Sequence, residues 1–427
     1  MVLKVEIISK ETIKPSSPTP IHLRSFKLSF LDQITPPIPF NILFFYPASD
    51  GSFDNVKRSD RLKKSLSETL TYFYPLAGTI GDNITVQCDD NGVQFLETQV
   101  NCQLSKVLKH PEAQVMKQFL PDPGMMCNEL GKGLQLAIQV NMFDCGGMVI
   151  GMTVLHKIID AGSLSTFINA WARTARGTDE TLGPRFDSAS LFPPNEVPGT
   201  TFLPMKMNPN SAEKIVTKKF VFDASNIAAL RAKASHSEHV KNPTRVESVS
   251  ALLWKCAWNA KSKSSVANVI VNFRSRIVPP LPENSFGNLI GMSTTKITNH
   301  EEAELHYLAR NLRDAIRKIN NDYMKELQND GSLRSTLEAP HEEFNNDEVE
   351  VYTMTSWCRF PFYEVDFGWG KPIWISTVNL LVKNGFMLMD TRCGSGIEAW
   401  VTLDEQKMAE FESDLDRASQ IHFSQNQ

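Results

Sequence analysis

The sequence predicts a mixed α/β protein with two domains of similar size, and three observations support this prediction. The chain has 427 residues, which is more than one compact domain usually holds and suggests about two domains. Strand-like and helix-like segments occur in both halves, so each half predicts a mixed β-sheet with flanking helices. A proline-rich stretch at 181–217 separates the halves. We therefore expect an N-terminal domain at 1–180, a crossover linker at 181–217 and a C-terminal domain at 218–427.

The N-terminal half predicts two helices and five strands. Apolar residues at helical spacing, from Leu62 to Phe73, predict a helix over 60–74. A second apolar helical pattern begins at Leu164. Short apolar segments predict strands at 5–8 (VEII, an edge strand), 84–88, 93–98, 134–143 and 148–155.

The C-terminal half uses the same two kinds of pattern. Helices are expected at 225–234 (SNIAALRAKA), at 244–258 (TRVESVSALLWKCAW), over a long charged stretch at 302–328, and from Asp404 onward. Strands are expected at 218–223 (KKFVFD), 267–273 (ANVIVNF), 350–356, 372–381, 385–390 and 396–402.

Composition and charge narrow the class of protein. The formal net charge is -4, from 44 basic and 48 acidic residues, which favours neither nucleic acid nor an anionic membrane as partner. No apolar run reaches the roughly 18 residues of a membrane helix, and the N-terminus mixes lysine and glutamate into its apolar residues. The seven cysteines form no CxxC pair, so we expect no zinc site, no disulfide framework and a cytoplasmic location.

The stretch LHKIIDAGS (155–163) contains the first candidate chemistry. His156 follows a buried strand and precedes the helix that begins near Leu164, a position where functional groups are commonly displayed. A neutral imidazole there can act as a general base, with Asp160 as its helper. Two other interpretations stay open, because this spacing often arises by chance. His156 can be a hydrogen-bonded core histidine, and Asp160 can be a helix N-cap.

The stretch DFGWG (366–370) predicts a tight, specific loop. Gly368 and Gly370 flank Trp369, and glycine permits positive φ or a close approach of the backbone. Protein kinases also use D-F-G, but their glycine-rich loop, V-A-I-K lysine and H-R-D loop are missing here. The pattern indicates a structural loop.

The stretch VNFRSR (271–276) places Arg274 and Arg276 after a buried strand. Such a pair can bind phosphate, hold a carboxylate, or form a surface salt bridge. No G-x-S-x-G elbow, Walker A loop, Rossmann fingerprint or H-E-x-x-H motif occurs, so neither a serine hydrolase nor a nucleotide-binding enzyme is indicated.

Together these motifs resemble the plant BAHD acyltransferases. His156-Lys-Ile-Ile-Asp160 matches the family's H-x-x-x-D, and Asp366 to Gly370 matches its D-F-G-W-G, in the family's order. The resemblance spans nearly the whole chain and includes FYPLAG (73–78), NMFDCGG (141–147), FGN (286–288) and TSWCR (355–359). It is most similar to the alkaloid-acetylating branch of the family.

The resemblance implies a chloramphenicol acetyltransferase-like fold with an active-site channel at the interface of the two domains. It implies an O-acetyltransferase that works as a monomer, with acetyl-CoA as co-substrate and no permanently bound cofactor. The acceptor would be a hydroxyl of a polycyclic plant metabolite, an alkaloid or alternatively a limonoid-like terpenoid. A non-catalytic metabolite-binding protein and a thioester hydrolase are the alternatives.

The resemblance also implies residue roles. His156 would be the general base, and Asp160 would orient it while paired with Arg274. Asp366 would be structural, together with Gly368, Trp369 and Gly370. Coenzyme A would be contacted by residues near a helix start, namely Ser248, Ser250 and Lys255.

Overall fold

The structure is a computed structural model, and it describes residues 3–48, 55–122, 124, 133–178, 183–194, 214–258, 264–298, 303–329, 349–378 and 383–419. The chain divides into two compact units. The first unit contains Met1–Phe202, Leu281–Leu289 and Phe360–Val378, and the second contains Leu203–Pro280, Ile290–Arg359 and Asn379–Gln427. Both units combine helices with a β-sheet, which confirms the predicted α/β class.

Fifteen strands occur in the described ranges. They are β1 (Val5–Ile13), β2 (Ser25–Lys27), β3 (Pro39–Tyr46), β4 (Thr79–Ile80), β5 (Thr85–Gln87), β6 (Val93–Val100), β7 (Leu136–Phe143), β8 (Met148–Leu155), β9 (Ile215–Phe222), β10 (Ser264–Asn272), β11 (Ile290–Ile297), β12 (Val349–Ser356), β13 (Trp374–Ser376), β14 (Gly385–Asp390) and β15 (Ile397–Asp404).

Eleven α-helices occur in the same part of the chain. They are α1 (Phe30–Ile34), α2 (Asn55–Tyr72), α3 (Leu104–Lys109), α4 (Ala113–Lys117), α5 (Ala161–Arg176), α6 (Ser188–Leu191), α7 (Ala224–Ala234), α8 (Arg245–Ala257), α9 (Leu305–Lys318), α10 (Asn321–Asn329) and α11 (Glu405–Ser419).

The first unit is organised around a six-stranded sheet in the order β1-β6-β7-β8-β3-β13. Only β6 and β7 are parallel neighbours in it. Every residue of β8 is buried, which explains why its sequence is apolar except for Thr153 and does not alternate. β1 lies at the sheet edge, as its mixed sequence predicts. A smaller sheet has the order β2-β5-β4.

Helices α2 and α5 pack together in the first unit. The buried Leu62, Leu66 and Leu70 of α2 form the predicted apolar face. The indole N–H of Trp171 on α5 donates to the carbonyl oxygen of Leu62 at 3.1 Å, which satisfies a buried donor. Gly177 ends α5 in the left-handed region at φ 69°, a conformation that glycine adopts without strain.

The second unit has a six-stranded sheet in the order β11-β10-β12-β14-β15-β9. Thr244 and Glu247 form a capping box at the start of α8, which buries most of its residues. The Trp254 indole of this helix donates to Ser265 Oγ at 2.8 Å on β10. The sheet therefore holds α8 by apolar packing and by this buried hydrogen bond.

DFGWG belongs to the first unit, whereas the sequence predicts that it lies in the C-terminal domain. The cause is β13, which follows DFGWG and pairs with β3: Trp374 is opposite Phe45, and Ser376 is opposite Leu43. Periodicity predicts a strand but not its partner, so this return of the chain was missed. Of the expected strand at 372–381, residues 374–376 form β13, while 379–381 lie outside the described residues.

Two other expected segments differ. The predicted helix at 302–328 is two helices, α9 and α10, because Asn320 Oδ1 accepts hydrogen bonds from the backbone N–H groups of Asp322 and Tyr323 and so caps a new helix. Residues 301–302 lie outside the described ranges. In the predicted linker, 181–182 and 195–213 are also outside these ranges, and the linker's last residues belong to β9.

Candidate active site

His156 stands at the point where β8 ends. Its backbone N–H donates to the carbonyl oxygen of Ile38 at 2.9 Å, which ties the end of the strand to the segment before β3. The ring of Phe40 lies against the imidazole, with the ring centres 4.9 Å apart. The side chain is half-buried, so the imidazole is sheltered but still reachable.

The orientation of the imidazole is set by Asn288. Nδ1 of His156 lies 2.9 Å from Oδ1 of Asn288. The amide nitrogen of Asn288 donates to Asp32 Oδ1 at 3.0 Å and to the carbonyl oxygen of His156 at 2.8 Å. Both of those partners only accept, so Oδ1 of Asn288 must face the imidazole. The proton of neutral His156 is therefore on Nδ1, and Nε2 carries the free lone pair.

Asp32 holds Asn288 in place. It is fully buried, and its Oδ2 accepts from Ser29 N at 2.9 Å and from Ser29 Oγ at 2.6 Å. Its Oδ1 also accepts from the backbone N–H of Asn288 at 2.8 Å. Burial raises the pKa of Asp32 above its ordinary value, although these hydrogen bonds favour the charged form. Asn288 is thus gripped at its backbone and at its side chain.

The electrostatics around His156 favour the neutral form. Burial lowers the pKa of His156 below its ordinary value. The charges of Asp160 and Asp32 and the hydrogen bond to Asn288 oppose this shift without cancelling it. A lowered pKa keeps the imidazole of His156 unprotonated near neutral pH, which is the form that a general base requires.

Asp160 is a structural brace. It is buried, and Oδ1 accepts from the backbone N–H of Ser163 at 2.7 Å, which makes it the N-cap of α5. Its Oδ2 accepts from the backbone N–H of Leu289 at 3.0 Å. One carboxylate thus joins the start of α5 to the segment that carries Asn288. The interpretation of Asp160 as a helix N-cap is confirmed.

Arg274 and Arg276 have different surroundings within the second unit. Arg274 is buried, and its Nη1 donates to Asn272 Oδ1 at 3.3 Å. Arg276 donates to the carbonyl oxygens of Ile316 and Ile319 at 3.2 and 3.3 Å. These carbonyls lie at the carboxyl end of α9, where the helix dipole favours a positive charge. Arg276 is therefore a helix-end contact, and no carboxylate among the described residues pairs with it. The pairing of Arg274 with Asp160 stays a prediction.

The DFGWG loop is built on its own aspartate. Asp366 Oδ1 accepts from the backbone N–H groups of Gly368 at 2.8 Å and Gly370 at 3.0 Å. Both glycines have positive φ, 107° and 101°, which other residues rarely adopt. Arg176 of α5 donates to the backbone carbonyl of Asp366. These contacts favour a structural role for Asp366.

Aromatic contacts fix the loop to the first unit. Trp369 stacks on Phe367, with ring centres 5.6 Å apart, and Phe367 meets Trp171 edge-on at 4.9 Å. The guanidinium of Arg58 lies 5.5 Å from the centre of the Trp369 ring, in the range of a cation–π contact. Tyr46 donates to the carbonyl oxygen of Val365 at 3.0 Å. The loop is thereby locked against the sheet and α5.

The residues expected to contact coenzyme A lie on α8. Ser248 and Ser250 lie within the first two turns of α8, which begins after the Thr244 cap, as predicted. Both serines are buried, and Ser248 Oγ donates to the carbonyl oxygen of Thr244 at 2.9 Å. Lys255 is partly exposed and lies 3.5 Å from Glu304. Its contact with coenzyme A stays a prediction.

Three residues around His156 were not predicted from the sequence. Asn288 and Asp32 surround the imidazole, and the only signal was that FGN (286–288) belonged to the resemblance. Lys157 lies buried beside His156, and its ammonium donates to the carbonyl oxygens of Gln33 at 2.7 Å and Thr35 at 3.0 Å. Burial lowers the pKa of Lys157 to about 8. No sequence pattern marks a lysine that caps a distant helix end.

This geometry defines an enzyme class. A neutral histidine with a free Nε2, at the end of a buried strand and without a nucleophile motif elsewhere in the sequence, is suited to activate a hydroxyl for direct acyl transfer. The model of a protein family described as the Transferase family matches residues 3–418. The chain belongs to this family, the BAHD acyltransferases, and is an O-acetyltransferase.

Known relatives match over nearly their full length. The chain is 40% identical to stemmadenine O-acetyltransferase of Catharanthus roseus, over 97% of this chain and 98% of that protein. It is 36% identical to limonoid 1-O-acetyltransferase of Citrus sinensis, over 96% of this chain and 97% of that protein.

Solved structures confirm the expected fold. The crystal structure of vinorine synthase, an enzyme of Rauvolfia serpentina, matches with a TM-score of 0.82 and 37% identity, over 95% of this chain and 96% of that chain. The TRI101 protein of F. graminearum, crystallised with coenzyme A and T-2 mycotoxin, matches with a TM-score of 0.69. At 17% identity over 91% of this chain and 97% of that chain, this second likeness shows the shared fold alone. None of the described helices is long and apolar enough to cross a membrane.

Proposed function

We propose that this enzyme transfers the acetyl group of acetyl-CoA to a hydroxyl of a polycyclic plant specialised metabolite, with an alkaloid as the first choice. The observation that carries the proposal is the free Nε2 of His156, which follows from the hydrogen bond between its Nδ1 and Asn288. Only a nitrogen with a free lone pair can take the proton of an acceptor hydroxyl.

The reaction then has two stages. Nε2 of His156 takes the hydroxyl proton as the acceptor oxygen attacks the thioester carbonyl. The resulting imidazolium is stabilised by the carboxylates of Asp160 and Asp32, whose charges raise the pKa of the ring. The tetrahedral intermediate collapses, the bond from carbon to sulfur breaks, and the imidazolium returns its proton to the leaving thiolate.

This sequence of steps needs no covalent acyl-enzyme. The proton leaves the acceptor oxygen and ends on the sulfur of coenzyme A, so His156 is restored after each turnover. The role of Asn288 is to keep the proton of the resting imidazole on Nδ1. Besides the effect of its charge, Asp160 would position the base, and its proposed pairing with Arg274 would fix the loop that carries His156.

The choice of acceptor rests on the relatives. Stemmadenine O-acetyltransferase is named for an alkaloid substrate, and it shares more sequence with this chain than the limonoid enzyme does. A limonoid-like terpenoid alcohol is the alternative, because that relative also matches over nearly its full length. Both acceptors present a hydroxyl on a bulky ring system and need the same base.

A mass-spectrometric screen tests the proposal. The purified chain is incubated with acetyl-, malonyl- or benzoyl-CoA and a panel of alkaloid and limonoid alcohols, and a thiol-reactive dye follows the release of coenzyme A. We expect an acetylated alcohol and equimolar thiol only when acetyl-CoA and an acceptor are both present. Thiol release without any alcohol would indicate a thioester hydrolase, and no turnover across the panel would favour a binding protein.

We also propose a cytoplasmic monomer. The odd number of cysteines, seven, and the small net charge of -4 support a cytoplasmic location. Light scattering coupled to gel filtration measures the oligomeric state, and expression with a fluorescent fusion partner locates the protein in plant cells.

A further inference from the structure

Three histidines of the second unit lie together outside the catalytic machinery. His236 and His239 are in the loop between α7 and α8, and His306 is in the first turn of α9. One ring nitrogen from each lies within 4.8 Å of the others. The rings are nearly parallel, with centres 4.5 Å apart for His236 and His239 and 4.8 Å apart for His236 and His306. All three side chains are half-buried.

The loop side of the cluster is held in a closed turn. The backbone N–H of His236 donates to the carbonyl oxygen of Val240 at 2.9 Å, and the N–H of Val240 donates back at 3.2 Å. This turn brings His236 and His239 onto the same side. Further along, the Arg231 side chain donates to the carbonyl oxygen of Pro243 at 2.8 Å. The two loop histidines therefore have little freedom to separate.

The helix side is docked onto the same loop. Arg313 of α9 donates to the carbonyl oxygens of Lys241 at 2.9 Å and Asn242 at 3.0 Å. The same guanidinium pairs with Glu247 at 2.7 Å, and both side chains are mostly buried. His306 is thus brought to the turn by a contact that does not involve the histidines. Such independent support is what keeps a ligand set in place before the ligand arrives.

We propose that His236, His239 and His306 bind a divalent transition-metal ion, with Zn²⁺ as the reference ion. Imidazole nitrogen suits Zn²⁺, Cu²⁺ and Ni²⁺, whereas Mg²⁺ and Ca²⁺ prefer oxygen ligands. Three protein ligands leave a fourth tetrahedral position for water. Nitrogen atoms bound to one zinc ion are roughly 3.4 Å apart, given a Zn–N distance of about 2.0–2.1 Å. Small rotations of the half-buried rings shorten the distances between the ring nitrogens, which now lie within 4.8 Å of one another, to this value.

The polar neighbours of the cluster define what the ion must displace. Glu238 N donates to Nδ1 of His236 at 3.2 Å, and Arg310 donates to Nδ1 of His239 at 3.2 Å. Within the described ranges neither ring nitrogen of His306 has a hydrogen-bond partner. Binding at Nδ1 expels both donors, and binding at Nε2 expels them as well because the ring proton moves to Nδ1.

Arg310 is therefore the competitor of the metal ion. Its side chain is partly exposed and already lies 3.4 Å from Asp314, so it has a partner to turn toward. Removal of Arg310 should tighten metal binding, whereas removal of a ligand should weaken it. These opposite signs separate a real site from adventitious binding by exposed side chains.

Calorimetric titration of Zn²⁺ into the tag-free, chelator-treated full chain tests the proposal. We expect one ion per chain, no binding of Mg²⁺, and a loss of affinity of at least about tenfold in His236→Ala and in His306→Ala. The Arg310→Ala variant should bind more tightly than the unmodified protein. His22→Ala and Cys393→Ser, which change exposed side chains elsewhere, are the matched controls and should bind like the unmodified protein.

Thermal unfolding keeps the test valid if a variant folds poorly. In EDTA all variants should melt near the unmodified protein, and Zn²⁺ should raise the melting temperature of the unmodified protein but not of His306→Ala. Absence of binding to the unmodified chain overturns the proposal. Binding that survives the His236→Ala/His306→Ala double substitution, or that Arg310→Ala fails to strengthen, also overturns it.

Discussion

Oδ1 of Asn288 lies 2.9 Å from Nδ1 of His156, although 132 residues separate them in the chain. Because the amide nitrogen of Asn288 is committed to Asp32 and to the backbone of His156, this contact has one polarity only. The histidine donates, the asparagine accepts, and Nε2 is left free. The reactivity of the imidazole is thus decided by a residue outside the motif that contains it.

His156→Ala should slow transfer severely, because Nε2 of His156 is the proton acceptor that we assign to the acceptor hydroxyl. We expect kcat to fall by about 10²- to 10⁴-fold, the usual contribution of a general base. Acetyl-CoA binding, measured by calorimetry, should stay close to that of the unmodified enzyme. Near-normal turnover in this variant would refute the assignment of the base.

Exchange of Asp32 and Asn288 should show whether these residues affect kcat by positioning His156 or only by stabilising the fold. Asp32→Asn and Asn288→Asp should each reduce kcat, between about tenfold and the roughly 10⁴-fold loss that follows when a catalytic histidine is held in the wrong tautomer. The single changes place two amides or two carboxylates in contact. The double variant restores one of each, so kcat should partly recover. A double variant no more active than the worse single variant would argue against the proposed positioning of His156 by Asp32 and Asn288.

The dependence of kcat/KM on pH should reveal the pKa of the buried His156 imidazole. His156 acts when unprotonated, so kcat/KM should fall as pH falls through its pKa, and burial lowers that pKa below its ordinary value. The acidic limb of the profile should therefore have its midpoint below about 6.5. In the Asp32→Asn/Asn288→Asp variant a carboxylate faces Nδ1, stabilises the imidazolium, and should move the midpoint upward. A midpoint above 7 in the unmodified enzyme would contradict the structure.

Asp160→Ala should destabilise the protein as well as slow it. The loss of an N-cap costs about 0.5–2 kcal/mol, and the buried N–H of Leu289 left without its acceptor costs about 1–3 kcal/mol more. Asp160→Asn keeps an acceptor for Ser163 and should lose less of the free energy of unfolding. Urea denaturation of both variants measures the difference. A fully stable but inactive Asp160→Ala protein would show that the brace interpretation is wrong.

Asp366→Ala should lower stability without changing the chemistry. The carboxylate holds the N–H groups of Gly368 and Gly370, and its loss should cost about 1–3 kcal/mol. Asp366→Asn retains an acceptor and serves as the control. Kinetics of the correctly folded fraction, isolated by gel filtration, should give nearly unchanged kcat and KM. A strong kcat loss in a stable variant would make Asp366 catalytic.

The sequence predicts well what depends on local burial. The buried β8, the helix that begins after Asp160 and the apolar face of α2 all follow from periodicity, because each residue's exposure repeats with the geometry of its own element. His156 could be singled out for the same reason, since it stands where such an element ends.

What escaped prediction depends on contacts between distant segments. Asn288 reaches His156, and β13 reaches β3, only after the chain has folded back on itself, and no period in the sequence encodes such a pairing. The histidine cluster was missed in the same way. His236 and His239 are neighbours in sequence, but His306 joins them only through the docking of α9 by Arg313.

The pairing of β13 with β3 also has a consequence during synthesis on the ribosome. Roughly 330 residues are translated between these strands, which takes on the order of tens of seconds at about 5–20 residues per second. Once β8 has been made and has paired with β3, the nascent chain exposes an open sheet edge that carries Leu43, Phe44 and Phe45 until β13 follows, a template for unwanted pairing. A polypeptide that stops at residue 202 keeps that edge open and never acquires Asn288. We therefore expect a severed N-terminal half to need chaperones while it is made and to aggregate once it is released.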